Sequence, residues 1–311
     1  MMFRRGLAAL LSRLKALLRK LAGRSAVAAA PVVLDFLPAE LRQKSYIRDN
    51  CEKLLDLALE HDGSMYFFDN IHGDFDRVAP EGEIGREATL GQTYGSYHRQ
   101  RALVHALMQA LNRHPVLAFN QPDFSIRGCG LSDAWDVAEQ LSRRFSYTNT
   151  FFHKEPKLDV KIGSPKFMDL DFITSSDVFE HVAPPIDEAF RNAYRMLKPG
   201  GVLVLTVPYL TTREETIEHF PELHEWSVVK HGDGFRLNNI TRHGEHQVFD
   251  NLVFHGGEGA TLEMRVFALA HLRRLAAEAG FRDFHILDRD IPFFGIYNQQ
   301  KLWSLPLILR K

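Results

Sequence analysis

The chain has only two cysteines in 311 residues, Cys51 and Cys129. That scarcity excludes a disulfide-stapled scaffold and a four-thiolate zinc site, and it suits a reducing compartment. No apolar run approaches the roughly 20 residues needed to span a bilayer. Neither sign of charge dominates: 38 Lys and Arg face 39 Asp and Glu, for a formal net charge of -1. No global field therefore draws the protein to nucleic acid, and no basic stripe marks its body. Internal repeats and low-complexity tracts are absent as well.

Charge is nonetheless unevenly spread. The first acidic residue is Asp35, and "MMFRRGLAALLSRLKALLRKLAGRS" carries Arg4, Arg5, Arg13, Lys15, Arg19, Lys20 and Arg24. Phe3, Leu7, Leu10, Leu11, Leu14, Leu17, Leu18 and Leu21 recur at three-and-four spacing, one apolar stripe on a basic helix over residues 1–25. Such a helix suits an anionic membrane surface, where apolar burial and charge attraction add, through residues 3–24. Docking on its own domain and an organelle presequence are the other readings. Charges interrupt the apolar run throughout, which excludes a secretory signal. "AVAAAPVV" (26–33) reads as a linker.

Residues 34–120 read as a helical and irregular N-terminal region. It holds one helix in "ELRQKSYIRDNCEKLLDLALEHDG" and another in "GSYHRQRALVHALMQALNRHP", with loop or short strand from Asp69 to Gly95. From 121 to 311 strands alternate with helices. "FSIRGCG", "SYTNTFF", "LDV", "LDFITSSDVF", "GVLVLTVPY", "DFHILDRD" and "LWSLPLILRK" are the strand candidates. Helices are expected in "DAWDVAEQLSRRF", "PPIDEAFRNAYRMLKPG" and "LEMRVFALAHLRRLAAEAGF", the last closed by Gly280. This alternation predicts an α/β fold with a doubly wound, mostly parallel sheet behind an N-terminal helical extension.

The stretch "DFITSSDVFEHVAPPIDEAFRNAYRMLKPGGVLVLTVPY" (171–209) resembles the class I S-adenosylmethionine-dependent methyltransferases, a Rossmann-like fold. The "EHV" after the fourth strand, the "LKPGG" helix stop and the strand into "VPY" carry the likeness, and "LRRLAAEAGF" is similar to a later family helix. The resemblance covers about 124–311. Upstream, "REATLGQTYGSYHRQRALVHAL" is similar to the segment preceding the domain in methyltransferases with a small zinc ribbon. Glycines stand at Gly91 and Gly95 where cysteines would be expected, which implies a metal-free remnant packed on the catalytic domain.

The resemblance implies S-adenosylmethionine as cofactor, held at the carboxyl ends of the strands. It places Gly128, Gly130 and Ser132 in the turn after the first strand, with Ile126 where the family has an acid. Asp133 is near enough to substitute, or serves as a first-turn acid for the next helix. No acid closes the second strand, where Asn149 could bond a ribose hydroxyl. Asp159 matches the position that receives the adenine amino group. Ser176 and Asp177 would face the crevice near the methyl group, while Glu180 and His181 shape the following loop.

A polar insertion, 211–265, follows the fifth strand and should arch over the crevice to form the acceptor pocket. His219, His224 and His255 are its candidate bases, since the pKa of imidazole suits deprotonation of a hydroxyl. No tight histidine pair stands among carboxylates in a recognisable order, so no metal ligand is assigned. The expectation is a cytoplasmic enzyme, peripheral to the inner membrane, that methylates an oxygen or nitrogen of a small-molecule or glycan acceptor, with no nucleic-acid partner. The alternative is a scaffold that has lost its cofactor and recruits partners to a membrane. A nicotinamide oxidoreductase would want a third glycine and an acid after the second strand, and both are absent.

Overall fold

The computed structural model describes residues 34–78, 89–255, 261–300 and 303–311. The basic segment 1–25 lies outside them. Among the described residues no helix is long and apolar enough to cross a membrane.

The N-terminal part runs α1 (Lys44–Leu54), a meander of β1 (Leu59–His61), β2 (Ser64–Asp69) and β3 (Asp74–Arg77), then α2 (His98–Ala110). Next come β4 (Arg127–Leu131), α3 (Trp135–Ser142), β5 (Ser146–Thr150), β6 (Leu170–Ser176), α4 (Asp187–Met196) and β7 (Leu197–Thr206). The insertion contributes β8 (Tyr209–Leu210), β9 (Ile217–Glu218), β10 (Glu225–His231), β11 (Gly234–Ile240), β12 (His246–Phe249), β13 (Phe254–His255), β14 (Thr261–Leu262) and β15 (Arg265–Ala268). The chain finishes with α5 (Leu269–Ala279), β16 (Asp283–Ile286) and β17 (Leu307–Arg310).

The central sheet has six strands in the order β16-β17-β7-β6-β4-β5. β5, β4, β6 and β7 are parallel, and β17 enters antiparallel to both β7 and β16. β6 and β7 are buried over most of their length because helices cover both faces of the sheet. On one face Phe172, Val202, Val204 and Ile308 pack with α2, α3 and the N-terminal meander in one cluster. On the other, Cys129, Ile173, Leu203 and Leu309 pack against Phe190 and Met196 of α4 and Leu272 and Leu275 of α5. The N-terminal region thus shares its core with the sheet.

α4 follows its sequence: acids Asp187 and Glu188 in the first turn, Arg195 in the last, and Ala189, Phe190, Ala193 and Met196 on the buried stripe. It ends before "LKPGG", however, because Leu197 already pairs with Leu170 as the start of β7. α5 ends on Gly280 at φ +106°, the left-handed cap expected there. "LDV" (158–160) forms no strand, and only a bridge between Phe151 and Lys157 marks the place of a third parallel strand. The insertion is largely regular structure. β10, β11 and β12 form an antiparallel sheet, β15 joins β8 and β9, and Phe220, Leu237, Leu262 and Met264 make a small core.

Two buried polar devices order the N-terminal region. The Asp76 carboxylate accepts the amides of Thr93 and Tyr94 and occupies the space beside Gly91, so a carboxylate knits this turn. Arg101 of α2 is fully buried over the Phe67 ring, its guanidinium 4.0 Å from the centroid. It donates to the carbonyls of Ser96, Thr89, Phe294 and Gly295, which joins the N-terminal part to a turn nearly two hundred residues later.

Candidate active site at the carboxyl edge of the sheet

β4, β5 and β6 end side by side at Leu131, Thr150 and Ser176. In a doubly wound sheet this edge is where a crevice opens. The chain leaves β4 through Ser132, exposed and at φ +58°, whose amide donates to Thr150 O at 2.8 Å. The Asn149 carboxamide brackets the backbone of Asp133, accepting its amide and donating to its carbonyl, both at 2.9 Å. Asn149 is therefore a latch on the turn, with both ends of its amide engaged, rather than a group held out toward a ribose.

Asp133 is the centre of this edge and is buried. Its Oδ2 accepts from the Tyr147 hydroxyl at 2.6 Å and from the Thr174 hydroxyl at 2.5 Å, while its Oδ1 has no partner. Burial pushes its carboxyl pKa upward, against the pull of those two hydroxyls. Ser175 Oγ and Asp136 Oδ2 are also buried without a partner. Unsatisfied buried acceptors cost about 1–3 kcal/mol each, so a group at this edge is expected to have something to bind.

The two glycines serve a different end from the one the sequence suggests. A Cβ on Gly128 would enter the Phe172 ring, its cross-strand partner. A Cβ on Gly130 would overlap the Tyr147 hydroxyl and the Asp133 carboxylate. Both positions must be bare so that the chain's own side chains, Asp133 among them, can lie against the strand.

On the β6 side, Asp177 adopts φ +52° and its amide donates to Thr206 O at 2.9 Å. Its carboxylate accepts from Thr206 Oγ1 at 3.2 Å and forms an ion pair with Arg99 of α2. Ser176 Oγ lies 3.2 Å from Thr206 Oγ1. Asp159 is half-buried beyond β5, its Oδ1 taking the Lys161 amide at 2.9 Å. Three exposed apolar side chains stand on segments leaving β4 and β5: Trp135 (81 % exposed), Phe152 (66 %) and Ile162 (76 %). Sequence reasoning passed over them, although a tryptophan directly after the glycine turn was a visible signal.

The insertion joins this edge through the turn after β6. Met264 N–H donates to Glu180 O at 2.9 Å, and fully buried Arg265 donates to the carbonyls of Phe179 and Val182. Two of the three candidate bases meet at one carboxylate. His219 Nε2 is 2.7 Å from Glu263 Oε1 and His255 Nε2 is 2.9 Å from Glu263 Oε2. Burial would raise the Glu263 pKa, but the hydrogen bonds and charges of these two imidazoles outweigh it and hold it down at about 2. His219 and Glu263 also line a cavity of about 370 Å³ with Phe220, Phe249 and Asn251. His224 is not brought there: it is exposed, and its backbone amide bonds Asn239 Oδ1. His181 packs edge-on against His255, with ring centroids 5.0 Å apart. Burial, with a smaller contribution from His255, lowers its pKa and keeps it neutral.

Residues 106–203 match a family model described as a methyltransferase domain. No curated protein sequence matches the chain. Similar solved structures include an S-adenosylmethionine-dependent methyltransferase from Clostridium acetobutylicum, at 13 % identity over 69 % of this chain and 92 % of that one, with a TM-score of 0.40. An amino pentose methyltransferase from Micromonospora echinaspora is 15 % identical over 70 % of this chain and 92 % of its own, with a TM-score of 0.39. The 1,6-didemethyltoxoflavin-N1-methyltransferase of Burkholderia thailandensis, solved with S-adenosylhomocysteine, is 13 % identical over 92 % and 98 %, with a TM-score of 0.37.

Proposed function

We propose that this chain, of which residues 106–203 match a methyltransferase-domain model, is a class I S-adenosylmethionine-dependent methyltransferase that transfers a methyl group to an oxygen or nitrogen nucleophile. The observation that carries the reading is the unpartnered Oδ1 of Asp133, a carboxylate buried just past the end of β4. A buried carboxylate with one oxygen free is a receptor for a cationic group, and the amino-acid end of the donor carries an ammonium. When bound, S-adenosylmethionine supplies an electrophilic methyl on a sulfonium centre.

The chain's part is to bind, orient and exclude water. Asp133 takes the ammonium and Ser132 stands beside it. Gly128 and Gly130 let the supporting side chains close under the turn, and Asn149 holds the turn's shape. Trp135 and Phe152 offer apolar faces to a nucleoside ring, and Asp159 lies on the side assigned to the adenine. Ser176 and Asp177 shape the wall nearest β6. The insertion supplies the acceptor side, where Glu263 fixes the tautomers of His219 and His255 so that the remaining ring nitrogen of each can take a proton. The acceptor is a small molecule or glycan handled at the cytoplasmic face of a membrane, with the basic apolar stripe of residues 3–24 lying on anionic lipid.

A second reading has a specific observation behind it. Tyr147 and Asp133 fill the space above Gly130, and the Arg99–Asp177 ion pair spans the neighbouring edge, as in a scaffold with a closed crevice. Calorimetric titration with S-adenosylmethionine separates the two. The enzyme reading expects a saturable heat in the full chain that weakens at least tenfold in Asp133→Asn. No heat in a folded full chain would leave the scaffold. For the membrane, anionic vesicles should pellet the full chain and leave behind a chain starting at Val32; equal pelleting would end that part.

A further inference from the structure

We propose that Glu180, His181 and His255 form a binding site for a first-row divalent transition-metal ion of the zinc class. One ligand atom from each lies within 4.8 Å of the other two, at the junction between the turn after β6 and the insertion. The donor set, two imidazoles and one carboxylate, is the open three-ligand set that zinc and non-haem iron sites use.

The surroundings of the two histidines are the stronger argument. His181 Nδ1 lies 3.0 Å from Leu262 O, which makes that nitrogen the N–H donor and leaves Nε2 bare toward Glu180, 3.9 Å away. His255 Nε2 lies 2.9 Å from the Glu263 carboxylate, which leaves Nδ1 bare. A backbone carbonyl behind one imidazole and a carboxylate behind the other are the outer partners that orient metal-ligating histidines and raise their basicity. Glu263 is itself fixed from its far side by His219 at 2.7 Å. Glu180 is fully buried. Ligand atoms around a tetrahedral ion stand about 3.3–3.5 Å apart, so filling the site draws the triangle inward by a fraction of a rotamer adjustment. Glu263, which stands behind His255, lines with His219 a cavity on the insertion side. This site stands on its own geometry and does not depend on methyl transfer; where it is filled, His255 Nδ1 is a ligand and His219 alone is left as a base on the insertion.

The test is calorimetric titration of the chelator-treated full chain with zinc chloride, joined to the visible ligand-field spectrum of the cobalt(II) form. One ion per chain is expected. His181→Asn and His255→Asn should each weaken zinc at least tenfold and alter the cobalt bands, Glu263→Gln should weaken it about tenfold or more, and His224→Asn should leave it unchanged. The His255 side chain is 38 % exposed, so its replacement is the one that folding tolerates best and it decides the matter if His181→Asn fails to fold. Absence of zinc binding overturns the proposal, as does wild-type affinity in folded His255→Asn.

Discussion

Replacing Gly130 by alanine tests the account of the glycine turn directly. The new methyl would fall well inside the 3.0 Å that Cβ atoms keep from other heavy atoms, against both the Tyr147 hydroxyl and the Asp133 carboxylate. Neither can yield alone, because they bond each other at 2.6 Å and Asp133 also holds Thr174 at 2.5 Å. Displacement therefore breaks one or two hydrogen bonds to a buried acid, at about 1.5–3 kcal/mol each. The expected loss is about 3 kcal/mol. Tyr147→Phe removes the oxygen that clashes and one of those bonds, and should cost about 1–2 kcal/mol by itself. In the double variant the methyl meets only the carboxylate, so the two losses should fall short of additive by at least about 1 kcal/mol. Urea unfolding of the four proteins, followed by far-ultraviolet circular dichroism, measures the coupling. Strict additivity, or a Gly130→Ala protein as stable as wild type, would refute the reasoning and restore a bare glycine facing solvent or ligand.

The pKa of Asp133 is raised, so its charged form opposes folding once pH exceeds the ordinary carboxylate range. Asp133→Asn should accordingly be at least as stable as wild type at pH 7, with the advantage shrinking as pH falls through about 4, as unfolding curves at several pH values would show; a large loss at neutral pH contradicts this. Glu263 behaves oppositely. Its pKa is held at about 2 against an ordinary 4.5, so its contribution is complete above pH 4.5 and drains as pH falls toward 2. The stability gap between wild type and Glu263→Gln should close over that window, and a gap independent of pH would remove the histidine–carboxylate pairing from consideration. Asp76→Ala strips the acceptor from the Thr93 and Tyr94 amides and should cost about 2–3 kcal/mol, with amide exchange near residue 93 accelerating most; unchanged exchange there would mean that water replaces the carboxylate without loss.

The parallel sheet was readable because its strands are buried on both faces: the runs in β6 and β7 admit few other readings, and Gly280 marks the end of α5 as expected. The insertion was read as a polar loop because β10 is exposed along nearly its whole length, so no alternation of apolar and polar residues announces it. Its local signals were the pair Gly232–Asp233 between His231 and Gly234, a two-residue hairpin loop with Gly232 at φ +57°, and Gly244 at φ +81° in the turn from β11 to β12. The turn was expected at Gly128 and Gly130, yet both lie inside β4 and the chain turns only at Ser132; what fills the space beside these glycines was invisible, because Tyr147 and Phe172 lie on other strands and only strand register puts them there. His181 and His255 are separated by a whole subdomain, and no spacing rule could pair them. Asp133 was visible as an acid close to the turn, but its burial under Tyr147 and Thr174 was not.

Arg101 has a consequence for how the protein comes into being. Its guanidinium is sealed in, yet two of its carbonyl partners, on Phe294 and Gly295, are synthesised long after it. Until those residues leave the ribosome, burying Arg101 would strand a cation without its full set of acceptors, and the sheet still lacks β17. Folding of the N-terminal part therefore waits on the segment around residues 293–310, and a fragment halted before residue 293 should remain loose, protease-sensitive and dependent on chaperones.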